Sequence, residues 1–196
     1  MNLLIRFLIF IFAMLLLSCS PENVERFFPA AITYVQPIPL INFPHVRLKS
    51  VKGTPEEAIA SHEAVRDLNK VFASACFEIE VHIREFTETN DLNNQEIYNS
   101  FRTGVQNINL VFYTGSWFEN HVSKTVGFIR PSIPNTIFQN RYFVQGSFSI
   151  ARNMIHEIAH LVGFNHYLIH STSIPYQMNE IWDKCAKEQG IEDQRL

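Results

Sequence analysis

Apolar and polar positions divide this chain into one continuous apolar stretch and a series of shorter patterned segments. Leu3 to Leu17 is apolar except for Arg6. That run is too short to span a bilayer, which takes about 20 apolar residues. Ala31 to Phe43 is β-like, but Pro37 and Pro39 cannot donate to a ladder, so an edge or interrupted strand is expected there. Thr54-Pro55-Glu56-Glu57 is a helix start: a capping Thr, Pro in the first turn, and acids at the positive end of the helix dipole. The helix is expected to reach about Ser74, with an apolar face of Ala58, Ile59, Val65, Leu68, Val71 and Phe72. From Phe77 to Phe86 the pattern alternates, Phe77, Ile79, Val81 and Ile83 against Glu78, Glu80, His82 and Arg84, which predicts a half-buried strand. Asp91 to Asn94 reads as a turn, followed by a short helix through Phe101. Strands are expected at Ile108–Tyr113, at Thr125–Ile129 before Pro131, and at Tyr142–Phe148. A long helix then begins at about Ser149, and a last one spans about Met178 to Gln189.

The apolar start changes the picture of where the chain works. A basic residue, an apolar run and then small residues make a secretory signal. The run ends Leu16-Leu17-Ser18-Cys19, which resembles the bacterial lipobox and implies cleavage before Cys19 and lipidation of Cys19. An ordinary signal peptide with a chance Cys is the alternative. Ser20, rather than Asp, follows Cys19, which points to the outer membrane. Residues 1–18 are thus read as a lipoprotein signal, 19–30 as a tether and 31–196 as one domain of ordinary size. Net charge is −3, from 16 basic and 19 acidic residues without a charge block, so nothing points to nucleic acid. In an exported, oxidising compartment Cys76 and Cys185 are open to a disulfide, with two buried free thiols as the other reading.

The chemistry is concentrated in His156-Glu157-Ile158-Ala159-His160-Leu161-Val162-Gly163-Phe164-Asn165-His166. On a helix, residues four apart lie on one face, so His156 and His160 can offer two imidazole nitrogens to one metal ion. Glu157, about 100° further round, flanks that ion and suits a general base rather than a ligand. Gly163 reaches left-handed backbone angles cheaply, so it can end the helix and turn the chain back to bring in His166. Three protein ligands leave a position open, the layout of a catalytic zinc site. With this composition, a chance match of all five fixed positions is on the order of a few in a hundred thousand.

These residues resemble the metzincin signature HExxHxxGxxH. The resemblance implies an α+β fold: a twisted mixed sheet, a long helix, a central zinc-binding helix over about 149–163, and a small C-terminal subdomain, 164–196, with a helix. It implies one catalytic Zn2+ on His156, His160 and His166, with Glu157 as the catalytic base for hydrolysis of peptide bonds inside a protein or peptide substrate. Thr125–Ile129 corresponds by its place in the order to the strand that lines a metzincin cleft, which brings in Gly127 and Phe128; an ordinary sheet strand is the other reading. Met178, 12 positions after His166, is the candidate for the methionine turn beneath the metal, or else a core residue. Glu180 stands where some subfamilies have a tyrosine. Tyr167, Ile174 and Tyr176 fall in the segment that walls the specificity pocket, or are packing residues. Some metzincins bridge the first helix to the C-terminal helix, which is where Cys76 and Cys185 fall.

Together these readings give a zinc-dependent endopeptidase, lipid-anchored to a bacterial cell envelope. A non-catalytic surface lipoprotein that keeps zinc for structure is the alternative. His45, His62, His82, His121 and His170 are expected at the surface or in hydrogen bonds.

Overall fold

The computed structural model describes residues 33–34, 45–87, 89–103, 107–166 and 172–193. Residues 1–32, with the signal, Cys19 and the tether, lie outside them, as do Tyr167 and His170. In chain order the elements are β1 (Thr33–Tyr34), β2 (Arg47–Gly53), α1 (Pro55–Phe72), α2 (Ala75–Ile83), α3 (Asn94–Thr103), β3 (Asn107–Tyr113), β4 (Gly127–Arg130), β5 (Ile133–Asn140), α4 (Gly146–Leu161) and α5 (Ile174–Glu188). Between β3 and β4 lies a single π-helical turn, Glu119–Ser123. The fold is mixed α+β. Its sheet has the order β1-β2-β3-β5-β4, with β2, β3 and β5 parallel and β1 and β4 antiparallel to their neighbours.

Helix α1 begins as the sequence implies. The Thr54 hydroxyl accepts from the Glu57 N–H at 3.2 Å and the Glu57 carboxylate accepts from the Thr54 N–H at 2.7 Å, closing a capping box. Ala58, Val65, Leu68, Val71 and Phe72 are buried, but Ile59 is 61% exposed and drops out of the expected apolar face. Ser61 and Ala64 are buried instead, so the face turned to the core is centred one position further round.

Two expected strands are helix or turn. Phe77–Phe86 falls mostly in α2, capped by the Ser74 hydroxyl, which accepts from the Phe77 N–H at 3.2 Å. Alternating apolar residues also contain an i, i+4 pair, and packing selects that pair. Phe77 and Val81 are fully buried, while Ile79 is 57% and Ile83 67% exposed. Glu80 turns inward because Lys184 and Arg84 meet its carboxylate at 2.6 and 3.3 Å. Tyr142–Phe148 is likewise no strand. Residues 141–143 form a turn, and α4 starts at Gly146. The missing strand is β5, which starts between Pro131 and Pro134 and carries a register irregularity opposite Ile129 and Arg130. Those prolines give its start the look of a loop, yet from Thr136 to Asn140 it pairs regularly with β3.

Helices α1, α4 and α5 and the inner face of the sheet close one hydrophobic core, with Phe72, Phe77, Ile137, Ile155 and Trp182 at full burial. Residues of α5 belong to that same core, so the C-terminal helix shares the packing of the sheet domain. Cys76 of α2 and Cys185 of α5 form a disulfide with a Cα–Cα distance of 5.6 Å. Among the described residues no helix is long and apolar enough to cross a membrane.

Candidate metal centre

Helix α4 carries apolar side chains on most of its circumference: Ile150, Ala151, Met154, Ile155, Ile158 and Ala159 are all buried. One stripe is polar, at Asn153, His156, Glu157 and His160, where spacings of three and four keep the side chains on one face. The helix ends in a Schellman motif. The Gly163 N–H donates to the His160 carbonyl at 3.1 Å and the Phe164 N–H to the Ala159 carbonyl at 2.9 Å, with Gly163 at φ +104°. Phe164, 1% exposed, anchors the reversed chain in the core, and His166 follows two residues on.

The reversal brings the three imidazoles together. Nε2 of His166 lies 3.2 Å from Nε2 of His156 and 3.0 Å from Nε2 of His160. The nearest ligand atoms of all three lie within 4.8 Å of one another. Nδ1 of His160 donates to the Phe164 carbonyl at 2.7 Å, which leaves Nε2 of that ring as a lone pair aimed at the cluster. The ring of Tyr176 packs on His156 and His166, with centroids 5.1 and 4.8 Å away.

Burial sets the protonation of the group. It pushes His156 down to about 3, with His160 and His166 adding to the effect, and it lowers His160. Both rings are therefore neutral near pH 7, the form that ligates a metal. Glu157, 3% exposed, is pushed up to about 8 by burial alone.

The cluster opens onto a cleft of about 830 Å³. Thr125, Val126 and Gly127 form one side, the polar stripe of α4 forms the floor, and Tyr176, Asn179 and Glu180 of α5 form the other side. Gly127 is placed where a Cβ would stand 2.3 Å from Nδ2 of Asn153 and 2.8 Å from the Phe138 carbonyl oxygen, so only glycine lets β4 sit this close to α4. Phe128, the next residue, turns to the opposite face of the sheet. There it stacks on Phe138 with centroids 4.7 Å apart and meets Tyr113 edge-on. Gly127 and Tyr176 thus border the cleft, and Phe128 does not.

No family model, no curated protein and no solved structure matches this chain.

The case for a metal therefore rests on donor chemistry and distance. Two nitrogens, each 2.0–2.1 Å from a tetrahedral ion, stand roughly 3.3–3.4 Å apart. The separations of 3.0 and 3.2 Å come close to that spacing. A hydrogen on Nε2 of His166 can point at one of its two neighbours, whereas a cation between the rings is met by all three nitrogens. The three histidines fit a metal ion.

Met178 stands elsewhere than in a turn. It lies in the second turn of α5, fully buried in the core, because α5 starts at Ile174, four residues before the expected position. Ile174 is likewise buried, at 1% exposure, and is a packing residue. Sequence reasoning missed Asn153, Arg152, Lys124 and Asn179, all of which border the cleft. Asn153 was within reach of a helical count, since it precedes His156 by three positions and Glu157 by four. Asn179 was not, because it arrives from another helix. Of the other histidines, His45, His82 and His121 bond to backbone carbonyls through Nδ1, at 3.0, 2.7 and 2.9 Å. Neither ring nitrogen of His62 has a partner.

Replacing Gly163 by alanine is expected to act through the backbone. Nothing lies within 4 Å of a Cβ at this position, but φ is +104°. The strain costs about 1–2 kcal/mol, and the relaxed chain carries His166 away from its partners. A lowered denaturation midpoint together with weaker zinc binding is the expected result. Unchanged zinc affinity would show that the turn does not place His166.

Proposed function

We propose that this chain is a zinc-dependent endopeptidase of the metzincin type. The observation that carries the reading is the convergence of three imidazole nitrogens beside one buried carboxyl group at the floor of an open cleft. Three histidines with a free coordination position make a catalytic rather than a structural set, and imidazole donors suit zinc among the available metals. When bound, zinc supplies a Lewis acid for the scissile carbonyl and lowers the pKa of water.

The remaining roles belong to the chain. Glu157 takes the proton from the attacking water and delivers it to the leaving amine. Strand β4 is an edge strand, paired on one side with β5, and its Gly127 borders the cleft. An extended substrate adds to such an edge by main-chain hydrogen bonds, which favours polypeptide over a small molecule. Asn153 borders the cleft beside Gly127, with its amide Nδ2 buried and unpartnered.

The proposal places the enzyme on the bacterial cell envelope, exported by residues 1–18 and held by lipid on Cys19, on the outer membrane. The Cys76–Cys185 bridge supports export, since such bonds persist in oxidising compartments.

The test is metal analysis of the purified protein lacking residues 1–19, followed by digestion of a peptide library. The expected result is one zinc per chain, cleavage within peptides, loss of cleavage with a chelator, and recovery with added zinc. Stoichiometric zinc without cleavage of any peptide would leave the non-catalytic lipoprotein standing. Absence of a bound transition metal would remove the site.

A further inference from the structure

The first turns of α5 pack against His156, and Tyr176 among them also packs on His166. The Nδ1 of His156 lies 3.2 Å from the Asn179 side-chain amide nitrogen. Nε2 faces His166, and a metal ion held there takes its lone pair, so the neutral ring carries its hydrogen on Nδ1. An amide NH2 facing an N–H puts two donors together. At the same time the other end of the same amide, Oδ1 of Asn179, is buried without a partner. One rotation of the Asn179 amide resolves both faults: Oδ1 takes the Nδ1–H, and the NH2 turns away.

We propose that Asn179 is a positioning residue that holds His156 as the Nδ1–H tautomer, with its Nε2 lone pair committed to the metal. The assignment rests on the metal-binding half of the reading above and is independent of peptide hydrolysis. It makes α5 part of the metal centre: Asn179 fixes the ring by a hydrogen bond, and the Tyr176 ring meets it in a T-shaped contact. His160 is held in the same tautomer by a different device, the Phe164 carbonyl of its own helix end. Outer partners of this kind typically change metal affinity 10–100-fold.

The experiment measures zinc affinity by competition with a chromophoric chelator, on the full domain lacking residues 1–19, for the wild type and three variants. Asn179→Leu keeps the volume and removes the acceptor. Affinity is expected to fall about 10–100-fold. Asn179→Ala is expected to fall at least as far. Asn179→Asp, whose carboxylate accepts the same hydrogen, is expected to match or exceed the wild type. Long-range ¹H–¹⁵N spectra of the metal-free wild type are expected to show the His156 proton on Nδ1. The proposal is overturned if Asn179→Leu binds zinc like the wild type, if Asn179→Asp weakens binding as much as Asn179→Leu, or if the His156 proton resides on Nε2. A wild type that binds no zinc would instead defeat the site itself, a different result from equal affinity across the series.

Discussion

Glu157→Gln is expected to leave zinc in place and to lower the rate of peptide hydrolysis by about 10²–10⁴-fold or more, the range supplied by a positioned general base. Glutamine keeps the volume and hydrogen-bonding capacity of the side chain but cannot take a proton from water. The three histidines are untouched, so metal content separates loss of the base from loss of the site. Stability moves in the opposite direction. In the metal-free protein Glu157 is held protonated up to about pH 8, against an ordinary carboxyl value of 4.5. A raised folded value contributes stability that is fully present below pH 4.5 and is lost as pH rises through about 8. The amide does not titrate. At pH 8 the metal-free variant is therefore expected to be more stable than the metal-free wild type, by about 1.4 kcal/mol for each pH unit over which the fold held the carboxyl protonated. Denaturation with a chelator present at pH 5 and pH 8 reads this gain. Hydrolysis at the wild-type rate would remove Glu157 from its role; equal stability of the two proteins at pH 8 would show that its carboxyl is not desolvated.

What could be read in advance divides by the range of the forces involved. The ligand stretch was legible because helix geometry ties residues 156, 157 and 160 together and a single glycine turns the chain for 166; none of it depends on distant partners. The helix start at Thr54 and the apolar strand at 108–113 were legible for the same reason. Helix α2 was not. Its alternating pattern fits a strand locally, and the decision for helix comes from Lys184 meeting Glu80 and from Cys185 meeting Cys76, both more than 100 residues away in sequence. Strand β5 was hidden by prolines that occupy only its irregular start, while its pairing with β3 is a long-range matter. The cleft divides in the same way. Gly127 was placed at its edge by order along the chain. The same order brings in Phe128, although neighbours in a strand point to opposite faces. Asn179 became visible only once α5 was docked against α4.

Removing the disulfide is expected to cost the fold far more than the metal site. The bridge closes a loop with a sequence separation of 109, and for a loop of that size the chain-entropy estimate is about 4.7 kcal/mol, with measured losses commonly 2–5. Both half-cystines are buried, Cys76 at 8% and Cys185 at 0% exposure, so a Cys76→Ala, Cys185→Ala variant also loses some packing. Reducing the wild type without mutation isolates the cross-link. The expected outcome is a fall in the denaturation midpoint worth roughly 2–5 kcal/mol for the reduced wild type, and somewhat more for the double variant. Zinc affinity of the protein that remains folded is expected to be unchanged. Cys185 lies six residues beyond Asn179 on α5, and the first turns of that helix have anchors of their own. Met178, Ile181 and Trp182 are fully buried in the common core, and Arg152 of α4 meets Asp183 at 2.8 Å. A cross-link that acts by restricting the unfolded chain changes how much protein is folded, not the geometry of the folded form. If reduction instead weakened zinc binding while the fold persisted, the bridge would be setting the position of α5 against the histidines, and the hydrogen bond at Asn179 would depend on it.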